Sequence, residues 1–300
     1  MRALGISGLA DSAKDFFAAD RAFGGGVTVA RGDIDGDGVP DIVTGAGPGT
    51  LPLVRVFSGA RSTRDAAGGV CPFELASFYA YDARFRGGVN VAIGDVTGDG
   101  IGDIITGPGP GGGPHVRVFQ AWSSSAAGPA SIVEYAGFYA YDPAFRGGVR
   151  VAAGDVDGNR VAEIITGAGP GGGPHVQAFV LNAERRPVPV LSFFAYHPAF
   201  TGGVFVAAGD VDRDGREELI TGADAGGGPH VRVFATGPAF TGLREAYGFY
   251  AYEPWFTGGV RVAAGDLDGD GRAEIITGPA SGARRWFARS GSTPMAVSVS

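Results

Sequence analysis

The chain has 300 residues, a net charge of −7 and one cysteine, Cys71, so no internal disulfide can form. No apolar run reaches the roughly 18 residues a transmembrane helix needs. Gly and Pro (55 and 19 residues) approach a quarter of the chain, but 20 Phe and 9 Tyr recur at fixed positions and can fill a core, which excludes a disordered chain.

In chain order, the first ten residues, Met1–Ala10, are too short and weakly apolar for a signal peptide. A short aromatic segment follows, Phe16-Phe-Ala-Ala-Asp20, and then the first of five Asp-rich loops, Asp33-Ile-Asp-Gly-Asp-Gly-Val-Pro-Asp41. The others are Asp95–Asp103, Asp155–Glu163, Asp210–Glu218 and Asp266–Glu274. Their first Asp recurs after 62, 60, 55 and 56 residues. The ligand positions of these loops hold 18 of the 31 acids, so the net acidity is concentrated in them and the rest of the chain is basic.

The third copy shows the unit most clearly. Phe138-Tyr-Ala-Tyr-Asp142 reads as an aromatic strand, and Gly147-Gly-Val-Arg-Val-Ala-Ala-Gly-Asp155 as a second. After the loop, Glu163–Gly167 and His175–Phe179 read as two more, separated by the turn Pro170-Gly-Gly-Gly-Pro174. Alternating runs bounded by Gly and Pro are strand signals, and no segment reads as a helix longer than a turn. Four strands per repeat of 55–62 residues predict an all-β chain, a β-propeller of four-stranded blades. The whole chain, 1–300, forms one domain, with repeats at about 16–57, 78–119, 138–179, 193–234 and 249–290. Five repeats predict five blades, the alternative being a fragment of a seven-bladed ring. Val-Ala-Ala-Gly would line the narrow axis, with Phe and Tyr filling the wider outer gaps. The fifth copy has no aromatic strand after it, and the pattern weakens through Ser281–Trp286 and Met295–Val299. Phe16–Asp20 is therefore expected to complete the last blade as a strand, removing exposed edges.

Oxygen ligands at positions 1, 3, 5 and 9 suit Ca2+, which takes six to eight hard oxygens. Position 6 is Gly where a positive φ closes the coil, and position 7 offers a backbone carbonyl. The expected ligands are Asp33, Asp35, Asp37, Val39 and Asp41; Asp95, Thr97, Asp99, Ile101 and Asp103; Asp155, Asp157, Asn159, Val161 and Glu163; Asp210, Asp212, Asp214, Arg216 and Glu218; and Asp266, Asp268, Asp270, Arg272 and Glu274. Up to five ions would bind, with affinities of roughly 10⁻⁴–10⁻³ M or tighter. Thr97 weakens the second site; Asn159, with Arg160 in the glycine position, makes 155–163 the weakest. Position 12 is Thr in every copy and no helices flank the loops, so these are not EF-hands.

Phe145-Arg-Gly-Gly-Val, the Asp-rich loop and Gly167-Ala-Gly-Pro170 resemble the FG-GAP/VCBS repeats of integrin α-subunit propellers and their bacterial relatives, over about residues 16–280. The resemblance implies a propeller with calcium between the first two strands of each blade. It also implies adhesive or scaffolding roles and an extracellular or cell-surface location. Integrin rings have seven blades, which leaves the ring size open beside the five repeats.

His115, His175 and His230 share one repeat position, and propeller symmetry spreads them around the ring, so no shared zinc site is expected. They would lie with Arg86, Arg146 and Trp255 on the face opposite the calcium loops, a candidate surface for an acidic polysaccharide or a protein. No nucleophile–base arrangement or phosphate loop stands out, so no catalytic residue is assigned. The expected function is a calcium-binding, non-catalytic module for adhesion, scaffolding or carbohydrate or protein recognition. It needs no nucleic acid and no membrane span; the oligomeric state is left open. The alternative is a polysaccharide lyase or hydrolase on a propeller scaffold.

Overall fold

The computed structural model describes residues 16–20, 22–64, 70–122, 131–281 and 296–297. The signal-peptide reading at 1–10, most of the 281–286 segment and the end of the last repeat at 282–290 lie outside them. The strands form five antiparallel meanders, each in chain order. Sheet one is β1 (Val27–Gly32), β2 (Asp41–Ala46), β3 (Leu53–Arg64) and β4 (Val70–Tyr79). Sheet two is β5 (Val89–Gly94), β6 (Asp103–Pro108), β7 (His115–Trp122) and β8 (Ser131–Tyr139). Sheet three is β9 (Val149–Gly154), β10 (Glu163–Ala168), β11 (His175–Leu181) and β12 (Pro187–Phe194). Sheet four is β13 (Val204–Gly209), β14 (Glu218–Ala223), β15 (His230–Ala235) and β16 (Arg244–Tyr250). Sheet five is β17 (Val260–Gly265), β18 (Glu274–Pro279) and the short β19 (Ala296–Val297). The architecture is all-β and propeller-like, and the inner strands β1, β5, β9, β13 and β17 line a central channel. Among the described residues the only helix is the 3-10 turn Pro238–Phe240, and no helix is long and apolar enough to cross a membrane.

Hydrogen bonding sets the phase of the repeat. The aromatic segments are not the first strands of their sheets. Phe78-Tyr79 ends β4, Phe138-Tyr139 ends β8 and Phe193-Phe194 ends β12, each the outermost strand of the sheet before. Any starting point in a periodic sequence is equally valid on paper; pairing such as His175↔Phe194 decides it. The hairpins joining third and fourth strands absorb the variation in repeat length. The register also shifts within these pairs, as at Ala178/Phe179, in the manner of a β-bulge.

Four hydrophobic clusters lie between neighbouring sheets rather than within them, such as Val116, Phe138, Val149 and Ile164 between sheets two and three. Near the channel the sheets approach too closely for side chains. A Cβ on Gly94 would lie 2.6 Å from the Ala153 Cβ, and one on Gly107 2.4 Å from the Val149 carbonyl oxygen. Backbone hydrogen bonds cross each junction: Gly102 N–H donates to Asp33 O (2.8 Å), Ala162 to Asp95 O (2.8 Å), Glu217 to Asp155 O (2.8 Å) and Ala273 to Asp210 O (2.7 Å). Farther out, where the wedge widens, aromatic pairs fill the gap, with Phe78 on Phe119 (4.7 Å between centroids) and Phe138 on Phe179 (4.9 Å).

The described residues do not make the fifth-to-first junction in this way. Val29 is 60% exposed where its counterpart Val91 is 7%, and Gly265 and Gly278 have no atom within 4 Å of an added Cβ. The segment Phe16–Asp20, expected to complete the last blade as a strand, carries no strand among its described residues. It is seated on sheet one as the end of β4 is seated on sheet two: Phe16 against Phe57 (5.0 Å) as Phe78 against Phe119 (4.7 Å), and the Ala18 carbonyl on the Arg55 guanidinium (2.8 Å) as the Ala80 carbonyl on that of Arg117. Beyond β18, the described residues of β19, Ala296 and Val297, pair with Ile276 and Ile275.

This packing makes equivalent glycines unequal. Gly107→Val should cost about 1–3 kcal/mol through overpacking against Val149, lowering the melting temperature by several degrees. Gly278→Val, at the same repeat position on the open sheet, should leave it almost unchanged; thermal denaturation of both variants checks this.

Candidate cation-binding loops

Each Asp-rich loop connects the inner strand of a sheet to the second strand. The loop builds itself around its first Asp. Asp33 Oδ1 accepts from Gly36 N–H (2.7 Å) and Oδ2 from Gly38 N–H (2.8 Å). The same pair of bonds recurs at Asp95, Asp155, Asp210 and Asp266. Position 5 accepts from the N–H two residues on, as in Asp37 to Val39 (2.8 Å) and Asn159 to Val161 (2.7 Å). Position 9 opens the second strand and reaches back: Asp41 accepts from Ile34 N–H, Glu163 from Val156, Glu218 from Val211 and Glu274 from Leu267 (2.9, 2.9, 3.0 and 2.7 Å).

The result is a carboxylate cluster in four of the five loops. Oxygens of Asp33, Asp35 and Asp37, of Asp155, Asp157 and Glu163, of Asp210, Asp212 and Glu218, and of Asp266, Asp268 and Glu274 lie within 4.8 Å of one another. Thr97 replaces the position-3 acid of the second loop, and no such group forms there among the described residues; Gln120 instead approaches Thr97 and Asp99 (3.4 and 3.3 Å). The third loop brings its acids together as the fourth and fifth do. Arg160 takes the left-handed backbone, φ 72°, that glycine holds elsewhere, and Arg213 does the same in the fourth loop at φ 65°. A non-glycine residue there is strained by roughly 1–2 kcal/mol. The backbone of Arg160 still donates to Asp155 Oδ2 (2.7 Å), so the loop keeps its shape.

Burial makes these carboxylates costly to ionise. Desolvation, helped by the neighbouring acids, pushes Glu163 up to about 8, Glu218 to about 7, and Asp41 and Asp103 to about 6. Glu163 is fully buried and its Oε1 has no hydrogen-bond partner. An unpaired buried carboxylate oxygen facing other acids fits a divalent cation, and hard oxygens select calcium-like ions over softer metals. When bound, such an ion would supply the charge that keeps the clustered acids ionised together.

Sequence reasoning missed several participants. Arg61, from β3, reaches Asp35 (3.4 Å) and offsets part of the first loop's charge. Glu217, half-buried between the third and fourth loops, is raised to about 7 by desolvation and by Asp155 and Asp210. In the channel the second residue of the inner strand varies: Thr28, Asn90, Arg150, Phe205, Arg261. Arg150 pairs with Asp224, and the Phe205 ring lies 4.1 Å from the Arg150 guanidinium and 5.0 Å from that of Arg261. No spacing rule flags this cluster, because it joins one position of three different repeats.

The candidate ligand face is spread one element per sheet. His115, His175 and His230 open the third strands and stack on the outer strand of their own sheet, on Tyr139, Phe194 and Tyr250 (5.0 Å each). His175 also bonds Ser192 Oγ (2.9 Å). Arg146 donates to the carbonyls of Pro143 and Phe145, and Arg86 makes the same turn contacts with Ala83 and Phe85. Trp255 is exposed.

Comparison with known proteins agrees with the repeat. Residues 25–63 match the family profile described as FG-GAP repeat, and residues 210–277 the one described as FG-GAP-like repeat. No curated protein matches in sequence. Solved structures of similar shape include the rhamnogalacturonan lyase YesW (14% identity, TM-score 0.42, covering 84% of this chain and 55% of that one). They also include the Bacillus licheniformis rhamnogalacturonan lyase PL11 (16%, 0.40, 84% and 55%) and Sqt1 from Chaetomium thermophilum (13%, 0.42, 85% and 70%). The chain spans about half the length of these lyases.

A pH test follows from the carboxylates. Their folded-state pKa values are raised, so without metal they stabilise the fold at low pH, and that contribution is lost as pH rises from about 4 toward 8. In EGTA the melting temperature should fall between pH 5 and pH 8. Saturating calcium should reverse that trend, since the ion competes with protons for the same oxygens.

Proposed function

We propose that this chain, built of FG-GAP repeats, is a calcium-stabilised propeller module that serves adhesion, scaffolding or recognition of a protein or polysaccharide outside the cell, without catalysis. The observation that carries this reading is the convergence of three carboxylates in each of four equivalent loops, with the buried Glu163 Oε1 left unpaired. Asp33, Asp35, Asp37 and Asp41 would hold the ion in loop one; Asp155, Asp157, Asn159 and Glu163 in loop three. Loops four and five would use Asp210, Asp212, Asp214 and Glu218, and Asp266, Asp268, Asp270 and Glu274, and the second loop would bind more weakly. The acids pushed above their ordinary range, Asp35, Asp41, Asp103, Glu163, Glu217 and Glu218, all belong to these loops, so they have a cation-holding explanation that a general acid–base pair does not require.

Each ion bound to the folded chain at ten times its Kd adds about 1.4 kcal/mol of stability. Adding EGTA to the calcium-loaded protein should therefore lower the melting temperature by at least about 5 °C; an unchanged value would remove the calcium claim. A glycan array probed with and without calcium tests the recognition role. Calcium-dependent binding of an acidic glycan supports it, whereas turnover of a polysaccharide would overturn the non-catalytic reading.

A further inference from the structure

At four sheet junctions a tyrosine latches one repeat to the next. Tyr81 donates to the His115 carbonyl (2.9 Å) and lies 3.1 Å from Thr106 Oγ1. Tyr141 meets the His175 carbonyl and Thr166 Oγ1 (3.0 and 3.1 Å), and Tyr196 the His230 carbonyl and Thr221 Oγ1 (2.8 and 3.2 Å). Tyr252 reaches Thr277 Oγ1 (3.5 Å). Each ring also stands edge-on to a phenylalanine of the following turn: Phe85, Phe145, Phe200 and Phe256, at 5.9, 6.0, 6.2 and 5.3 Å.

The first repeat keeps the socket and lacks the plug. Ala19 stands at the tyrosine position and Leu53 at the histidine position, while Thr44 and Phe23 are retained. What remains is a cavity of about 230 Å³ lined by Ala18, Ala19, Phe23, Thr44, Leu53 and Arg55, among others. Thr44 is buried, and its hydroxyl has none of the tyrosine hydroxyl contact its four counterparts make. An apolar cavity of roughly 150 Å³ is already enough to hold benzene. Here one wall is a phenylalanine placed for edge-to-face contact, and one end carries a hydroxyl and a strand carbonyl.

We propose that this slot binds a para-substituted phenol ring, seated as the latch tyrosines are, with its hydroxyl between Thr44 Oγ1 and the Leu53 carbonyl. The ring replaces a side chain the other repeats supply themselves, and its para substituent points where the tyrosine backbone would enter. The same chemistry could arrive as a free phenol or as a tyrosine on a peptide.

Isothermal titration of the calcium-loaded full chain with p-cresol and with toluene tests this. Saturable binding of p-cresol is expected, about tenfold tighter than toluene for the hydrogen bonds. Thr44→Val should bring the two ligands level. Ala19→Tyr copies the residue of four other repeats; it should abolish p-cresol binding and raise the melting temperature by filling the cavity. N-acetyltyrosinamide separates the sources: competition with p-cresol assigns a peptide-borne ring, and its absence a free phenol. Failure of p-cresol to bind, toluene binding as tightly, undiminished binding in Ala19→Tyr or a lowered melting temperature for that variant would each overturn the proposal.

Discussion

Everything in this molecule depends on how closely one sheet can approach the next at the channel. Glycine stands at Gly94 on the inner strand β5 and at Gly107 on the adjoining β6 because a Cβ at either would enter the neighbouring sheet's atoms. That proximity lets backbone amides reach across, from Gly102 to Asp33 and from Ala162 to Asp95. The wedge then opens outward, and Phe and Tyr fill it, so side-chain size grades with distance from the axis. Interfaces of this kind couple neighbours and little else, as in other repeat proteins.

The cation loops are wired into that contact. In the first four loops the first Asp uses its carboxylate to shape the loop and its backbone carbonyl to receive the next sheet, as Asp33 does with Gly36, Gly38 and Gly102. Charge held in one loop therefore bears on the seating of the next sheet. The loops hold this geometry with several acids clustered and Glu163 buried without a hydrogen-bond partner for Oε1. Electrostatic cost and sheet registration meet in the same residues.

Departures from the repeat show where the chain does something local. Arg160 and Arg213 adopt backbone angles that glycine takes elsewhere, and their loops still form. Ala19 and Leu53 together empty a socket that tyrosine and histidine occupy in later repeats. Arg150, Phe205 and Arg261 turn one strand position into a cationic stack in the channel. Each change is a single letter in the sequence; its consequence is set by what the neighbouring sheet places opposite it.

The repeat, the strand-rich fold and the acidic loops were legible in the sequence because they are local: alternation, glycine turns and ligand spacing all lie within a dozen residues. The phase of the sheets was not, since a periodic string has no privileged start and only pairing such as His175↔Phe194 assigns the aromatic strand to the outside. The role of the loop-following threonines was hidden for a similar reason, because Thr106 and Tyr81 belong to different sheets. The seat of Phe16–Asp20 on sheet one follows from contacts across nearly 40 residues. Thus the sequence by itself determined which residues turn, extend and carry charge. Only the tertiary structure decided which surfaces meet, because burial and close approach are properties of neighbours the chain brings together from far apart.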